Sequence, residues 1–469
     1  MNNVLNLRRP SKHDLENSIS DLRKIFDDQI TTNLSICERH GHDEAFHPVS
    51  SPDAVIFPKT TNEVKKIVEI CHLYKVPVIP FGVGTSLEGG VCALSGGISV
   101  DFSKMNKILQ VNNDDMDCCV EAGVTRKQLN NYLRNTGLFF PVDPGADATL
   151  GGMTSTSASG TNAVKYGTMR ENVMGLTVVM ADGEIIRTGG RYRKSSAGYD
   201  LTRLFVGSEG TLGIITEITL KLYGQPECIS SAVCQFKDLK SAIDTVITCL
   251  SSGVPLARIE LLDSLQMNAC IQYSKLTEFH PNPTLFFEFH GSKTSLIEQA
   301  EVIESISSDF GGTNFDWKNL PEERKRLWEA RHNAYYAALS SKPGCVAWSS
   351  DVCVPITSLA DCILESQKDL ISLKLDAPLV GHVGDGNFHL LYLVNPNDEN
   401  EINRAKEHNN IMVSRAIEMG GTCTGEHGVG YGKSKFLSQE MGSSIKVMKQ
   451  IKLAFDPKGI LNPGKIFYE

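Results

Sequence analysis

The sequence predicts an α+β protein of two domains, and three observations lead to that prediction. Its 469 residues exceed what one average hydrophobic core organises. Helix-like and strand-like patterns follow one another irregularly from Pro58 onwards. Gln225-Pro226 then separates a glycine-rich half from a half in which strands alternate with long helices. We expect a helical segment at 1–48, a first domain at 49–224, a second domain at 225–420, and a C-terminal segment at 421–469 that returns to the first domain.

The apolar spacing predicts the individual elements. Apolar residues from Val64 to Cys71 recur on one helical face, and Thr61 or Asn62 can cap that helix. Short apolar runs bounded by turn residues predict the strands. Strands are predicted at 76–80, 97–102, 118–121, 176–180, 213–222, 231–236, 284–290 and 345–354, and further helices at 238–252, 321–340 and 402–419.

Composition excludes several classes of function. The chain is 41% hydrophobic and 22% charged, and no apolar run approaches the ~18 residues of a membrane span. A net charge of -9 argues against a nucleic-acid partner, which calls for a basic surface. Thirteen cysteines, an odd number without a regular framework, indicate reduced thiols in an intracellular compartment. Acidic residues soon follow Arg8 and Arg9, so any mitochondrial presequence is weak or absent here.

The glycine-rich stretch PFGVGTSLEGG (80–90) fails two familiar phosphate-binding patterns. A dinucleotide fingerprint would need glycine where Leu87 stands, and a P-loop would need lysine and a hydroxyl residue where Gly90 and Val91 stand. Glycines can still free successive N–H groups to form an anion-binding nest, with hydroxyls from Thr85 and Ser86. One such loop is more often a tight turn than a phosphate site.

Two further tracts favour a ligand. PGADATLGGMTSTSASGTNAVKYGT (144–168) is rich in glycine and small hydroxyls but holds few large apolar side chains, so it contributes little to a core. GSEGTLGIIT (207–216) runs from a turn into a strand. Three donor-rich segments in one domain suit a long cofactor that carries a diphosphate.

The stretch GHVGDGNFH (381–389) places two histidines around a turn, which is compatible with a plain β-hairpin or with a metal site. In GEHGVG (425–430), Glu426 and His427 would face opposite sides of a regular strand, so they could not both bind one ion. This geometry allows a division of labour, with Glu426 joining the two histidines around a metal and His427 facing a substrate. Two imidazoles and a carboxylate favour Zn²⁺, with Mn²⁺ and Fe²⁺ as alternatives. Asp385 could be a fourth ligand, although the Asp-Gly turn explains it adequately.

Together, these motifs with DPKGILNPGK (456–465) occur in the order seen in FAD-linked oxidases of the vanillyl-alcohol oxidase type, which the chain resembles from about residue 40 to 469. Within that family the motifs look most like those of the cytochrome-linked D-lactate dehydrogenases. The resemblance implies a VAO/PCMH-type FAD-binding domain followed by an α+β substrate or cap domain with an antiparallel sheet. It also implies that the 80–86 loop cradles the FAD pyrophosphate.

The resemblance implies the following cofactor-binding residues: Pro80, Phe81, Gly82, Val83, Gly84, Thr85, Ser86, Pro144, Gly145, Asp147, Gly151, Gly152, Ser155, Ser159, Gly160, Asn162, Gly167, Glu209, Gly213, Ile214 and Asn462. Several family members bind FAD covalently through a histidine in the first loop. Residues 80–90 contain no histidine, so we expect FAD to be bound without a covalent bond.

The resemblance also supports the metal ligands His382, His389 and Glu426, with His427 as the catalytic base that contacts the substrate. Arg331 matches the family position that holds the substrate carboxylate, and a single helix would place Tyr335 on the same face. The alternative for Arg331 is an ordinary surface ion pair.

The function expected is oxidation of D-lactate, or a similar small D-2-hydroxy acid, by metal-assisted proton removal and hydride transfer to flavin N5. Electrons would pass to cytochrome c or to a quinone or flavoprotein carrier. A D-2-hydroxyglutarate dehydrogenase is an alternative, but Ser349 stands where that similar family carries a lysine for the second carboxylate. Glycolate dehydrogenase and, more remotely, an ether-forming flavin transferase are the others. The resemblance implies a mitochondrial location, with the cytoplasm as the alternative, and a homodimer is left open.

Overall fold

The computed structural model describes residues 7–467, which divide into two compact units. The first unit comprises the chain up to Ser159, residues 167–225, and the chain from Glu426 onward. The second comprises residues 160–166 and 226–425. The thirteen cysteines are free thiols.

The helices of the described chain vary from one turn to 20 residues. In chain order they are α1 (Lys12–Phe26), α2 (Leu34–Arg39), α3 (Thr61–Tyr74), α4 (Arg126–Leu133), α5 (Leu150–Thr156), α6 (Ala163–Tyr166), α7 (Met169–Asn172), α8 (Leu201–Phe205), α9 (Leu239–Ser251), α10 (Ser264–Ser274), α11 (Lys293–Asp309), α12 (Pro321–His332), α13 (Ala334–Ser341), α14 (Leu359–Leu373), α15 (Glu399–Glu418), α16 (Ser434–Met441) and α17 (Ser444–Phe455). Short 3₁₀ turns lie at Asp27–Gln29, Phe102–Lys104 and Ile356–Ser358.

The strands are mostly short. In chain order they are β1 (Ile30–Thr31), β2 (Ala54–Ile56), β3 (Val78–Phe81), β4 (Ile98–Asp101), β5 (Ile108–Asn112), β6 (Asp117–Glu121), β7 (Leu138–Phe139), β8 (Val173–Val179), β9 (Ile185–Gly189), β10 (Ile214–Lys221), β11 (Tyr223–Gly224), β12 (Cys228–Gln235), β13 (Leu256–Leu262), β14 (Thr284–Gly291), β15 (Thr313–Lys318), β16 (Val346–Ser349), β17 (Val352–Cys353), β18 (Leu379–His382) and β19 (Asn387–Val394).

The first unit contains a mixed sheet in the order β1-β2-β4-β3 and an antiparallel sheet in the order β5-β6-β10-β8-β9. Strands β2, β3 and β4 run parallel, and their apolar residues join one core with the apolar face of α3. The C-terminal segment belongs to the same core, since Ile460 and Leu461 are buried in it and Asn462 N donates to Val78 O at 2.9 Å.

The second unit is organised on one antiparallel sheet in the order β15-β12-β14-β13-β18-β19-β16, with β17 paired to β19. The neighbouring strands of this sheet pair antiparallel, which confirms the predicted α+β class and the antiparallel sheet of the second domain. Helices α10, α12 and α13 pack together over apolar side chains that include Leu327 and Trp328.

Three predicted details are wrong. The strand predicted at 345–354 is two short strands, β16 and β17. The cap of α3 is Thr60 rather than Thr61 or Asn62, because the Thr60 side chain accepts from Glu63 N. The predicted helix at 321–340 is two helices, since α12 ends at His332 and α13 begins after Asn333. The Asn333 side chain donates to Ser274 Oγ at 3.0 Å, which ties this break to α10.

Among residues 7–467, no helix combines the length and the apolar character needed to cross a membrane.

Candidate functional site

The first glycine-rich segment follows β3 and presents a run of backbone donors. Among residues 7–467, the N–H groups of residues 82–86 find no hydrogen-bond acceptor. Gly84 has a φ of 74°, a backbone conformation that a residue without a Cβ adopts at little cost. The Ser86 hydroxyl donates to Asp43 Oδ2 at 2.6 Å, which holds the far end of the loop. Successive N–H groups without a protein acceptor fit a phosphate or diphosphate group.

In the second segment, Thr149 caps α5 by accepting from Gly152 N. Gly151 has a packing reason to be glycine, because an added Cβ would lie 2.7 Å from the Ala122 Cβ. Gly145 differs, since no heavy atom lies within 4 Å of the Cβ that it would carry. The start of α5 is therefore closely packed, whereas the space beside Gly145 is open and can admit a ligand.

The third segment meets the C-terminal part of the chain inside the first unit. The Glu209 carboxylate accepts from Val429 N at 2.7 Å and from Gly430 N at 2.8 Å. Burial raises the pKa of Glu209 to about 7, although these two N–H groups lower it. Asn462 Nδ2 donates to Gly90 O and Glu209 O, at 3.0 and 2.8 Å. One asparagine thus joins the first loop to the third segment.

Buried polar atoms next to these segments also fit a bound cofactor. Ser208 Oγ and Asn462 Oδ1 are buried and have no hydrogen-bond partner among the described residues. A buried polar atom without a partner is costly, so a ligand with hydrogen-bonding groups would stabilise this region.

Two predicted cofactor residues have protein partners of their own. Asp147 Oδ1 accepts from Lys127 N at 3.0 Å. Asn162 lies in the part of the second segment that belongs to the second unit, where its Oδ1 accepts from Arg258 Nε at 2.9 Å. The cofactor contacts assigned to these and the other residues of the three segments stay predictions.

The two histidines of GHVGDGNFH lie on β18 and β19, which form an antiparallel hairpin. His389 pairs with Val380, so it shares a sheet face with His382 two residues further along β18. Both side chains are buried, and their ring centroids are 5.4 Å apart. Gly386 in the turn has a φ of 77°, and a Cβ there would overlap the Val354 carbonyl oxygen. The hairpin therefore brings the two imidazoles side by side.

Both imidazoles are oriented through the same ring nitrogen. His382 Nδ1 lies 2.8 Å from Glu260 Oε1, and His389 Nδ1 lies 2.9 Å from the Ser350 carbonyl oxygen. A hydrogen on each Nδ1 makes Nε2 the nitrogen with the lone pair. Histidines that bind metals usually have their other nitrogen hydrogen-bonded in this way. The donor set therefore fits a divalent metal.

Glu260 on β13 is a site residue that the sequence analysis missed. Its side chain is only 1% exposed, and its other oxygen accepts from Arg331 Nε at 2.7 Å. Burial alone would raise the pKa of Glu260, but His382 and Arg331 lower it below its usual value. The one signal available was an acidic residue inside the apolar strand LARIELL.

Asp351 is a second missed residue, and it is fully buried. Its Oδ1 accepts from Asn387 Nδ2 at 2.7 Å, and its Oδ2 accepts from Thr424 Oγ1 and Gly425 N, both at 2.8 Å. Asp351 Oδ1 also lies 3.7 Å from His389 Nδ1. Asp351 therefore fixes the start of β19 and the end of the second unit in one arrangement.

Arg331 does not form an ordinary surface ion pair, which was the alternative to a role in substrate binding. Its side chain is only 17% exposed, and its partner Glu260 is buried. The break at Asn333 separates it from Tyr335, which lies in α13 and is 41% exposed. Tyr335 and Arg331 therefore do not share one continuous helix face. The role of Tyr335 toward the substrate stays a prediction from the resemblance.

Glu426 and His427 belong to the first unit and lie in a bend rather than on a regular strand. The alternation of side chains along a regular strand therefore does not orient Glu426 and His427, and their division of labour stays a prediction. His427 Nδ1 lies 3.8 Å from Glu88 Oε1, and Lys433 Nζ lies 3.2 Å from the same oxygen. Burial would raise the pKa of Glu88, but Lys433 and His427 help to lower it to about 2. An ionised carboxylate thus adjoins the His427 imidazole.

Two family models match the chain. Residues 52–189 match the model described as FAD binding domain, and residues 225–466 match the one described as FAD linked oxidases, C-terminal domain. The predicted FAD-binding fold is confirmed by these matches.

Known proteins match most of the chain. A probable mitochondrial D-lactate dehydrogenase of Danio rerio is 52% identical over 96% of this chain and 92% of its own length. A mitochondrial D-lactate dehydrogenase [cytochrome] of Arabidopsis thaliana is 44% identical over 96% and 79%. The solved structure of 4-ethylphenol oxidase from Gulosibacter chungangensis shares the fold, with a TM-score of 0.80, 19% identity and 98% of each chain covered.

Proposed function

This chain belongs to the FAD-linked oxidases, and we propose that it is a dehydrogenase that oxidises D-lactate to pyruvate. Relatives that bear the name D-lactate dehydrogenase support the substrate. The observation that carries the chemistry is the pair His382 and His389, whose Nδ1 atoms are both hydrogen-bonded. A plain structural hairpin does not require two buried imidazoles oriented in the same way.

Each proposed residue has a separate task in the reaction. Bound FAD supplies the hydride acceptor. His427 takes the proton of the substrate hydroxyl, as a general base. Arg331 binds the substrate carboxylate through its terminal nitrogens, because its Nε already donates to Glu260.

We propose that His382 and His389 hold a divalent metal through Nε2, with Glu426 as the third ligand that the family resemblance implies. Imidazole and carboxylate ligands favour Zn²⁺, and Mn²⁺ or Fe²⁺ are the alternatives. A metal supplies Lewis-acid chemistry that favours loss of the hydroxyl proton.

A monocarboxylate substrate is favoured over a dicarboxylate. Ser349 ends β16 at the position where D-2-hydroxyglutarate dehydrogenases carry a second cation, and its hydroxyl donates to the Ser350 carbonyl oxygen at 3.2 Å. A serine cannot neutralise a second carboxylate. The electron acceptor is proposed to be cytochrome c or a quinone or flavoprotein carrier, and the location to be mitochondrial.

The proposal predicts that D-lactate bleaches the flavin absorbance under anaerobic conditions. L-lactate and D-2-hydroxyglutarate serve as matched controls and are expected to reduce the flavin much more slowly. Stopped-flow absorbance near the flavin maximum measures the rates. Rapid bleaching by D-2-hydroxyglutarate but not by D-lactate would reassign the substrate, and no bleaching by any 2-hydroxy acid would favour the flavin transferase alternative.

FAD is expected to leave the protein on acid precipitation, because residues 80–90 contain neither histidine nor cysteine. Cys92 lies just beyond the loop, but its side chain is buried. The supernatant should be yellow and the pellet colourless, as measured by flavin absorbance in both fractions. Flavin that stays with the denatured pellet would contradict a non-covalent cofactor.

A further inference from the structure

We propose that Glu260 is a positioning residue that fixes a metal-binding histidine and the substrate-binding arginine at the same time. The inference rests on the proposed function for the tasks of His382 and Arg331. The contacts of Glu260 do not depend on that function, because its carboxylate accepts hydrogen bonds from both His382 and Arg331 in the structure.

The register between β13 and β18 places the Glu260 carboxylate beside His382. In the antiparallel pair β13–β18, Leu261 pairs with Gly381 and Leu262 pairs with Val380. Continuing this register by one residue sets Glu260 opposite His382, and opposite residues share a face of the sheet. The 2.8 Å contact between Glu260 Oε1 and His382 Nδ1 is the result.

The two oxygens of Glu260 have different partners. Oε1 accepts from His382 Nδ1, which selects the tautomer whose Nε2 lone pair can bind a metal. Oε2 accepts from Arg331 Nε, which fixes the plane of the guanidinium and leaves its terminal N–H groups for a carboxylate. A change at Glu260 should therefore alter both metal binding and substrate binding.

A second buried carboxylate in the same sheet also contacts an arginine and a histidine. Glu288 on β14 is also buried, and it contacts Arg258 at 3.4 Å and His290 Nε2 at 2.9 Å. His290 Nδ1 lies 2.8 Å from the Tyr166 hydroxyl, so both of its ring nitrogens have protein partners. His290 therefore offers no nitrogen to a metal, and Glu288 is a matched control for Glu260.

The test is a metal titration of Glu260→Gln, with Glu288→Gln as the control, each in the full chain with FAD bound. Glutamine keeps the shape of the side chain, but its NH₂ group would face either His382 Nδ1 or Arg331 Nε, and both of these atoms are hydrogen-bond donors. We expect the Kd for Zn²⁺ or Mn²⁺ to rise ~10–100-fold, the usual effect of removing such a partner. Glu288→Gln should keep the wild-type Kd, and both variants should keep their FAD.

Kinetics provide a second readout that a general loss of stability would not give. At saturating metal the kcat of Glu260→Gln for D-lactate should recover, whereas its KM should stay raised because Arg331 has lost its fixed partner. If Glu260→Gln does not fold, Glu260→Asp retains the charge. Its side chain is one methylene shorter, so it cannot hold both partners, and the same two changes are expected.

The outcomes separate this inference from the proposed function. A wild-type protein that binds no divalent metal would overturn the metal site and this role with it. A wild-type protein that binds metal and is reduced by D-lactate, beside a folded Glu260 variant with unchanged Kd and KM, would overturn only the positioning role. If the wild type binds metal but D-lactate does not reduce it, a weakened Kd in Glu260→Gln still supports the orientation of His382.

Discussion

Replacing His427 by asparagine is expected to slow reduction of the flavin by D-lactate ~10²–10⁴-fold, the range for losing a positioned general base. Asparagine is similar in size and can still form hydrogen bonds, but it has no basic nitrogen. In the wild type, the ionised carboxylate of Glu88 lies 3.8 Å from His427 Nδ1 and stabilises the imidazolium that forms when the ring takes a proton. Stopped-flow absorbance measures the rate.

The His427→Asn variant should retain both FAD and metal, and Glu426→Gln is its comparison. A neutral amide oxygen is a poorer ligand than a carboxylate, so Glu426→Gln should lose metal instead. The wild-type rate should also fall in acid, because a protonated imidazole cannot accept a proton, and His427→Asn should lose that dependence. Full metal in Glu426→Gln together with metal loss in His427→Asn would reverse the two assignments.

Local patterns in the sequence predicted part of the structure around the site, but not β13, the strand that carries Glu260. Apolar spacing predicted α3, and the turn residues of GHVGDGNFH predicted the hairpin. The cap of α3 was also within reach, because only Thr60 has glutamate three residues later, and Glu63 Oε2 accepts from Lys59 N at 2.7 Å. The choice among three adjacent capping residues needed that spacing rather than the residue type alone.

The partners of the histidines could not be predicted from local patterns. Glu260 is 122 residues from His382 and 71 from Arg331 along the chain. The pairing of β13 with β18 brings Glu260 beside His382, and α12 carries Arg331 to the same carboxylate. The break at Asn333 was equally hidden, and the Asn333 side chain contacts Ser274 on α10, far away in the sequence. Both features involve contacts between residues far apart in the sequence, and such contacts are the usual reason that local propensity fails.

Removal of the metal is expected to abolish turnover of D-lactate while leaving the flavin spectrum nearly intact. The residues proposed to bind FAD lie mainly in the first unit, whereas His382 and His389 lie in the second. Dialysis against a chelator should eliminate activity, and separate addition of Zn²⁺, Mn²⁺ or Fe²⁺ should identify the metal that restores it.

His382→Ala should mimic the chelator, because it removes one ligand from a pair whose rings lie 5.4 Å apart. The expected result is less than stoichiometric metal by elemental analysis, no turnover, and full FAD content. His280→Ala is the matched control, since His280 is an exposed histidine of the same unit, and its observed contacts with Gln235 are made by backbone atoms. It should retain metal and activity, which distinguishes the hairpin from adventitious binding at surface imidazoles. Full turnover of a metal-free wild-type preparation would contradict the metal site, and the two buried histidines would then serve only to stabilise the hairpin.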